Sequence, residues 1–186
     1  MNVIELLEEA PIIAAVKDWD GLEKAQTAPV NVVFVLFGDV CNIGKIIKRL
    51  KAAGKFVVVH LDLIEGLESK PISVQFLKET TQVNGIISTK ISVITAAHKL
   101  GLTTVMRFFV LDSLSVENIK KQTKTRGIDF VEILPGIAPK IIKKLVKELS
   151  IPLITGGLIS DKEDVITALQ QGALALSTTN SDIWEL

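Results

Sequence analysis

Eight short apolar runs recur along the chain, each separated from the next by a longer amphipathic or charged segment. They are "IIAAV" (12–16), "NVVFVLF" (31–37), "FVVVHL" (56–61), "GIIS" (85–88), "TVMRFFVL" (104–111), "FVEIL" (130–134), "PLIT" (152–155) and "ALALS" (173–177). β-Branched and aromatic residues dominate several of them, and their lengths fit strands. The runs are nearly continuous rather than alternating. That pattern belongs to strands covered on both faces, as in a parallel sheet.

The segments between them read as helices. "NIGKIIKRLKAAGK" sets Ile43, Ile46, Ile47 and Leu50 on one face and lysines on the other. "APKIIKKLVKEL" does the same with Ile141, Ile142, Leu145 and Leu149. "SDKEDVITALQQG" offers Ser160 as N-cap, Glu163 three residues on, and Gly172 as a stop; "DSLSVENIKKQTKTRG" ends at Gly127. A helix is expected after each of the first seven runs, and "NSDIWEL" is the stub of an eighth. Eight βα units predict an α/β fold: a small single-domain (β/α)8 TIM-type barrel over residues 1–186, with a short last helix. The competing expectation is an open, doubly wound sheet.

A chain of 186 residues, 48% hydrophobic and 23% charged, can bury one sizeable core. Its formal charge of zero announces no polyanionic partner, although local patches escape that sum. One cysteine, Cys41, excludes an internal disulfide framework and fits a reducing compartment. The start, "MNVIELLEEAPIIAAVKDWD", carries glutamates where a signal peptide would carry lysines. No apolar run is long enough to span a bilayer, so a cytoplasmic protein is expected.

In such a barrel the chemistry belongs to the loops that follow the strands. After the seventh and eighth runs stand Thr155-Gly156-Gly157 and Ser177-Thr178-Thr179-Asn180. Gly156 and Gly157 expose main-chain N–H groups, and Ser177, Thr178 and Thr179 add N–H groups and hydroxyls. These two loops are the expected phosphate site, assisted by the N-terminus of the stub near Ser181. A side chain at Gly157 is expected to fill the space of a phosphate oxygen. Two tight turns of small residues would give the same letters.

Carboxylates crowd the same mouth: Asp39, Asp62, Glu65, Asp112 and Glu132, with Lys17, Lys90 and Arg107 as countercharges. A phosphorylated polyol suits this mixture, cations and amides taking the phosphate and carboxylates the hydroxyls. Asp62 and Glu65 in "HLDLIEG" are also a candidate pair for a divalent ion. Carboxylates paired with cations explain them equally, and no metal is expected. His60 reads as an orienting or packed residue, and His98 as an ordinary residue near a helix end. Outside the mouth, Lys120, Lys121 and Lys124 crowd the helix after the fifth run, and Lys140, Lys143 and Lys144 the next. Either they are a solvated face or they contact a nucleic-acid backbone.

Taken together, "VVVHLDLIEGL", "NGIISTK", "MRFFVLDSLS", "FVEILPGIAPKII", "PLITGGLIS" and "ALSTTNSDIW" resemble the glycerol-uptake operon antiterminator family from about residue 11 to the end. The resemblance implies a small barrel that binds glycerol 3-phosphate as effector, with no cofactor, and acts on leader mRNA. Carried over by motif, phosphate falls to Gly156, Gly157, Ser177 and Thr178. The barrel geometry then directs the polyol toward some of His60, Asp62, Lys90, Arg107 and Glu132. Lys90 stands where the family pattern often has arginine, which keeps a cation and loses the planar fork. A homo-oligomer is compatible with this reading. The alternatives are an enzyme acting on a small phosphorylated substrate and, further off, a barrel joining a glycerol phosphate to a prenyl diphosphate.

Overall fold

All eight apolar runs become strands: β1 (Ile12–Val16), β2 (Val32–Val35), β3 (Phe56–His60), β4 (Gly85–Ser88), β5 (Thr103–Phe109), β6 (Phe130–Leu134), β7 (Leu153–Gly156) and β8 (Ala175–Thr178). The computed structural model describes residues 2–186. Every strand pairs in parallel with its neighbour in chain order, and β8 closes on β1 with Ile13 opposite Ser177. That pairing excludes the open doubly wound sheet and makes a (β/α)8 barrel.

Seven helices follow β1 to β7: α2 (Trp19–Thr27), α3 (Ile43–Ala52), α4 (Pro71–Thr80), α5 (Ile91–Lys99), α6 (Ser113–Gln122), α7 (Pro139–Glu148) and α8 (Lys162–Gln170). The apolar face expected of α3 is buried in full: Ile43, Ile46, Ile47 and Leu50 all pack inward. On α7, Ile142 and Leu145 are buried, whereas Ile141 and Leu149 are half-buried at the edges of the stripe.

Several local expectations need correction. The N-cap of α8 is Asp161, whose side chain accepts from the Asp164 N–H, and not Ser160. Ser160 sits outside the helix, and its hydroxyl donates to the Asp164 carboxylate. Helix α6 stops at Gln122, well short of Gly127; the Thr123 hydroxyl donates back to Ile119 C=O there. The final stub is a three-residue 3-10 turn, Ile183–Glu185. It is too short to sum a helix dipole, so the anion-directing dipole expected near Ser181 is absent. Instead the turn buries Ile183 and Trp184, and the indole N–H donates to Thr178 C=O at 2.8 Å.

One helix was not foreseen. α1 (Val3–Glu9) precedes β1 and carries a reciprocal cap between Asn2 and Glu5. Its Leu7 joins Ile13, Val32, Phe34, Val58, Ile87, Val105, Phe130, Ile154 and Ala175 in the cluster that fills the lower barrel. α1 therefore plugs the end of the barrel opposite the βα loops.

Candidate functional site

Side chains alternate in and out along a strand, so the residue two places beyond each core residue also points inward. Ile13 is followed by Ala15, Val58 by His60, Val105 by Arg107, Phe130 by Glu132, Ile154 by Gly156 and Ala175 by Ser177. The lower layer is wholly apolar. The next one up is where polar chemistry enters the barrel.

Three of these residues form one network. Arg107 Nε donates to Glu132 Oε2 at 2.6 Å, and the Ser177 hydroxyl donates to Glu132 Oε1 at 2.6 Å. Glu132 is fully buried and Arg107 only 7% exposed, so the two charges compensate each other away from bulk water. Both Glu132 oxygens are engaged, whereas the Arg107 Nη groups donate to no acceptor among the described residues.

His60, 3% exposed, completes the layer. Its Nδ1 is buried with no hydrogen-bond partner. Burial first, and the Arg107 charge second, push the imidazole down to about 4, against a weaker upward pull from Asp62. The ring is therefore neutral near neutrality. Thr155 Oγ1 is also buried without a partner, but Thr155 is out of phase with this layer.

Asp62 is tied to the loop after β4. It accepts from the Ser88 hydroxyl at 2.7 Å, the Thr89 N–H at 2.7 Å and the Thr89 hydroxyl at 2.9 Å. Burial alone would raise this carboxyl; those hydrogen bonds outweigh it and hold it below its ordinary value. The crowding of carboxylates expected at the mouth is thus relieved mainly by N–H and hydroxyl donors rather than by lysines. Asp39 accepts from the Cys41 and Asn42 N–H groups in its own turn, and Asp112 caps α6. Lys17 and Lys90 stand exposed at the rim. Glu65 is exposed too, and the described residues contain no group of three or more His, Cys, Asp or Glu able to hold a metal.

The corner formed by β7, β8 and β1 is built from small residues. Gly156 abuts the network: a Cβ there would collide with Ser177 Oγ and lie 2.9 Å from Glu132 Oε1. Gly157 is required for another reason, its φ of +75°. A Cβ on Gly157 would point at Leu134 Cδ2, 3.2 Å away, so it would not occupy phosphate space as expected. Leu158 follows at φ 62° and 70% exposed, an uncommon conformation for a leucine.

The N–H groups of Gly157, Leu158 and Thr179 donate to no acceptor among the described residues. Two of the expected hydroxyls, by contrast, are in use. Ser177 donates to Glu132, and Thr178 turns outward to Ile159 C=O at 3.2 Å. What this corner offers an anion is main chain. A cleft of about 90 Å³ adjoins it, lined by Lys17, Gly21, Lys24, Thr179 and Ser181 among others. The Thr179 N–H belongs to the loop expected from sequence, whereas the open Leu158 N–H was not expected; its only signal is its position after β7.

On the outer wall, Lys121, Lys124, Lys140, Lys143 and Lys144 are exposed. Lys120 differs, because it bridges Glu117 at 2.7 Å and Glu148 of α7 at 3.3 Å. It links the two helices and has little charge to spare.

A family profile described as glycerol-3-phosphate responsive antiterminator matches residues 12–184. An Escherichia coli K12 protein called uncharacterized protein YgcP is 43% identical over 186 residues, covering all of this chain and 97% of its own. The solved glycerol uptake operon antiterminator regulatory protein of Listeria monocytogenes superposes with a TM-score of 0.90 at 31% identity, over 95% of each chain. An antiterminator-related protein of Thermotoga maritima gives 0.83 at 35% identity, over 94% of this chain and 98% of its own. More distant solved barrels, enzymes among them, share the fold alone.

Proposed function

The chain belongs to the glycerol-3-phosphate responsive antiterminator family, and from that premise we propose that it is a cytoplasmic sensor of glycerol 3-phosphate that acts on leader mRNA. The observation that carries the sensor reading is the corner at β7 and β8. There, the N–H groups of Gly157, Leu158 and Thr179 have no acceptor among the described residues, and Ala15 and Thr179 line the adjoining cleft. Main-chain donors suit a phosphate because they are fixed in place and cost no side-chain ordering. From that corner the polyol extends toward His60, Arg107 and Glu132. Asp62 shapes the opposite loop, and Lys90 contributes from the rim.

The antiterminator reading needs an RNA surface as well. The exposed lysines of α6 and α7 supply it, as phosphate-backbone contacts. Ligand and RNA are coupled only if RNA prefers the ligand-bound arrangement of the mouth loops. An enzymatic reading finds less support. Both carboxylates suited to proton abstraction, Glu132 and Asp62, already accept hydrogen bonds.

The test is thermal. At about 100 times its dissociation constant a ligand adds about 2.7 kcal/mol, or roughly 5–10 °C for a domain of this size. Glycerol 3-phosphate is expected to give that shift and glycerol none. Gly157→Val, which must distort the turn at φ +75°, is expected to abolish it. A folded Gly157→Val protein with an unaltered shift refutes this phosphate placement.

A further inference from the structure

The buried polar layer has a property that a simple anion receptor would not have. Arg107 is the only cation in the layer, and Glu132 cancels it at 2.6 Å. Asp62 borders the same space from the β3 side and stays ionised, because the hydrogen bonds from Ser88 and Thr89 hold its carboxyl low. His60 is neutral there, since burial and Arg107 oppose its protonation. The local sum is therefore neutral to negative. Lys17 and Lys90, the nearest rim cations by position, are exposed and water-screened. Yet the same layer is rich in open hydrogen-bonding capacity. The Arg107 Nη groups are unpartnered donors, and His60 Nδ1 is a buried atom with no partner. Such atoms are costly to leave unpaired, and a hydroxyl, which both donates and accepts, pairs with either.

We propose that His60, Arg107 and Glu132 form a charge-balanced receptor for the uncharged hydroxyl end of a phosphorylated polyol, and that Glu132 makes this receptor reject ligands carrying a carboxylate at that end. The proposal rests on the phosphate placement given above and adds the selectivity of the far end. A phosphorylated hydroxy acid is of similar size to a phosphorylated polyol. Its carboxylate, however, would lie against Glu132 and Asp62 in a site poor in water, where like charges repel strongly. Selectivity then comes from a built-in repulsion as well as from attraction.

Binding of sn-glycerol 3-phosphate, 3-phosphoglycerate and inorganic phosphate, measured by calorimetry on the intact protein at constant ionic strength, decides it. Glycerol 3-phosphate is expected to bind at least tenfold more tightly than 3-phosphoglycerate. Glu132→Gln, which leaves Arg107 uncompensated, is expected to narrow or invert that ratio. Equal or tighter binding of 3-phosphoglycerate by the wild-type protein overturns the proposal without touching the phosphate corner, and so does an unchanged ratio in a folded Glu132→Gln protein. Inorganic phosphate binding as well as glycerol 3-phosphate also overturns it, because the far end would then contribute nothing. Binding of none of the three removes the sensor reading and this proposal together. The wild-type comparison stands by itself should Glu132→Gln fail to fold.

Discussion

Two layers of the barrel interior lie two residues apart on the same strands and are built on opposite principles. The lower one, Phe34, Val58, Val105 and Phe130 with Leu7 beneath, is apolar and filled by side chains. The upper one sets His60, Arg107, Glu132 and Ser177 against small Ala15 and Gly156. Two residues of strand is only about 6.6 Å. Over that step the inward positions stop packing the core and start presenting hydrogen-bonding groups. Polar groups are tolerated so close to the core because Glu132 is matched on both oxygens. The lower layer holds the barrel closed, and the upper one keeps donors unspent.

Substitutions should tell the layers apart. The largest loss is expected from Phe130→Ala in the lower layer, about 3–5 kcal/mol from lost burial and the cavity left behind. Chemical denaturation measures it, and the relative affinities of the ligands should be unchanged. Arg107→Met in the upper layer leaves Glu132 buried without its countercharge, an effect of similar size, about 3–5 kcal/mol. Arg107→Lys, which keeps a cation beside Glu132, should lose less. Equal losses in the two variants would mean that packing, not charge, dominates the upper layer.

Leu7→Ala, at the plug, is expected to cost about 2–4 kcal/mol. Ligand-induced shifts should survive it, because the plug is at the far end of the barrel from the mouth.

The smallest effect is on pH dependence. His60 titrates at 6.5 in the unfolded chain and is pushed down to about 4 in the native protein. Between those values the unfolded chain binds a proton that the native chain refuses, so stability falls as pH drops from 6.5 through 4. The full effect is up to about 3 kcal/mol, at 1.36 kcal/mol per unit. His60→Gln should flatten that part of the melting-temperature profile. The loss caused by Asp62, whose native carboxyl is held low, runs the same way at lower pH and should remain in the variant. Coincident wild-type and His60→Gln profiles would show that the ring is not the buried neutral group described here.

Much of this was legible beforehand. Eight apolar runs became eight strands within a few residues, and the Gly156-Gly157 turn stands at the mouth as expected. The α1 plug is hard to see in the sequence although Asn2 and Glu5 carry the spacing of a reciprocal cap, because seven residues hold too few turns for an apolar period to stand out. The alternation of side chains was enough to point Glu132 and Arg107 inward. It could not say that Ser177, rather than a ligand, would take the second Glu132 oxygen.

The sequence by itself determined the local periods: where strands run, which faces of the helices are buried, and which loops share one end of the barrel. Those follow from the spacing of apolar residues and from turn chemistry, which act over a few residues. Tertiary structure alone decided the partnerships. Glu132 meets Arg107 25 residues away because β5 and β6 pair with these two residues opposite each other, and it meets Ser177 45 residues away because β6, β7 and β8 lie side by side with only Gly156 between the two side chains. Which donors were consumed, and which were left open at Gly157, Leu158 and Thr179, is a property of that pairing. No local pattern encodes it, because hydrogen bonds depend on fractions of an ångström that only the assembled barrel sets.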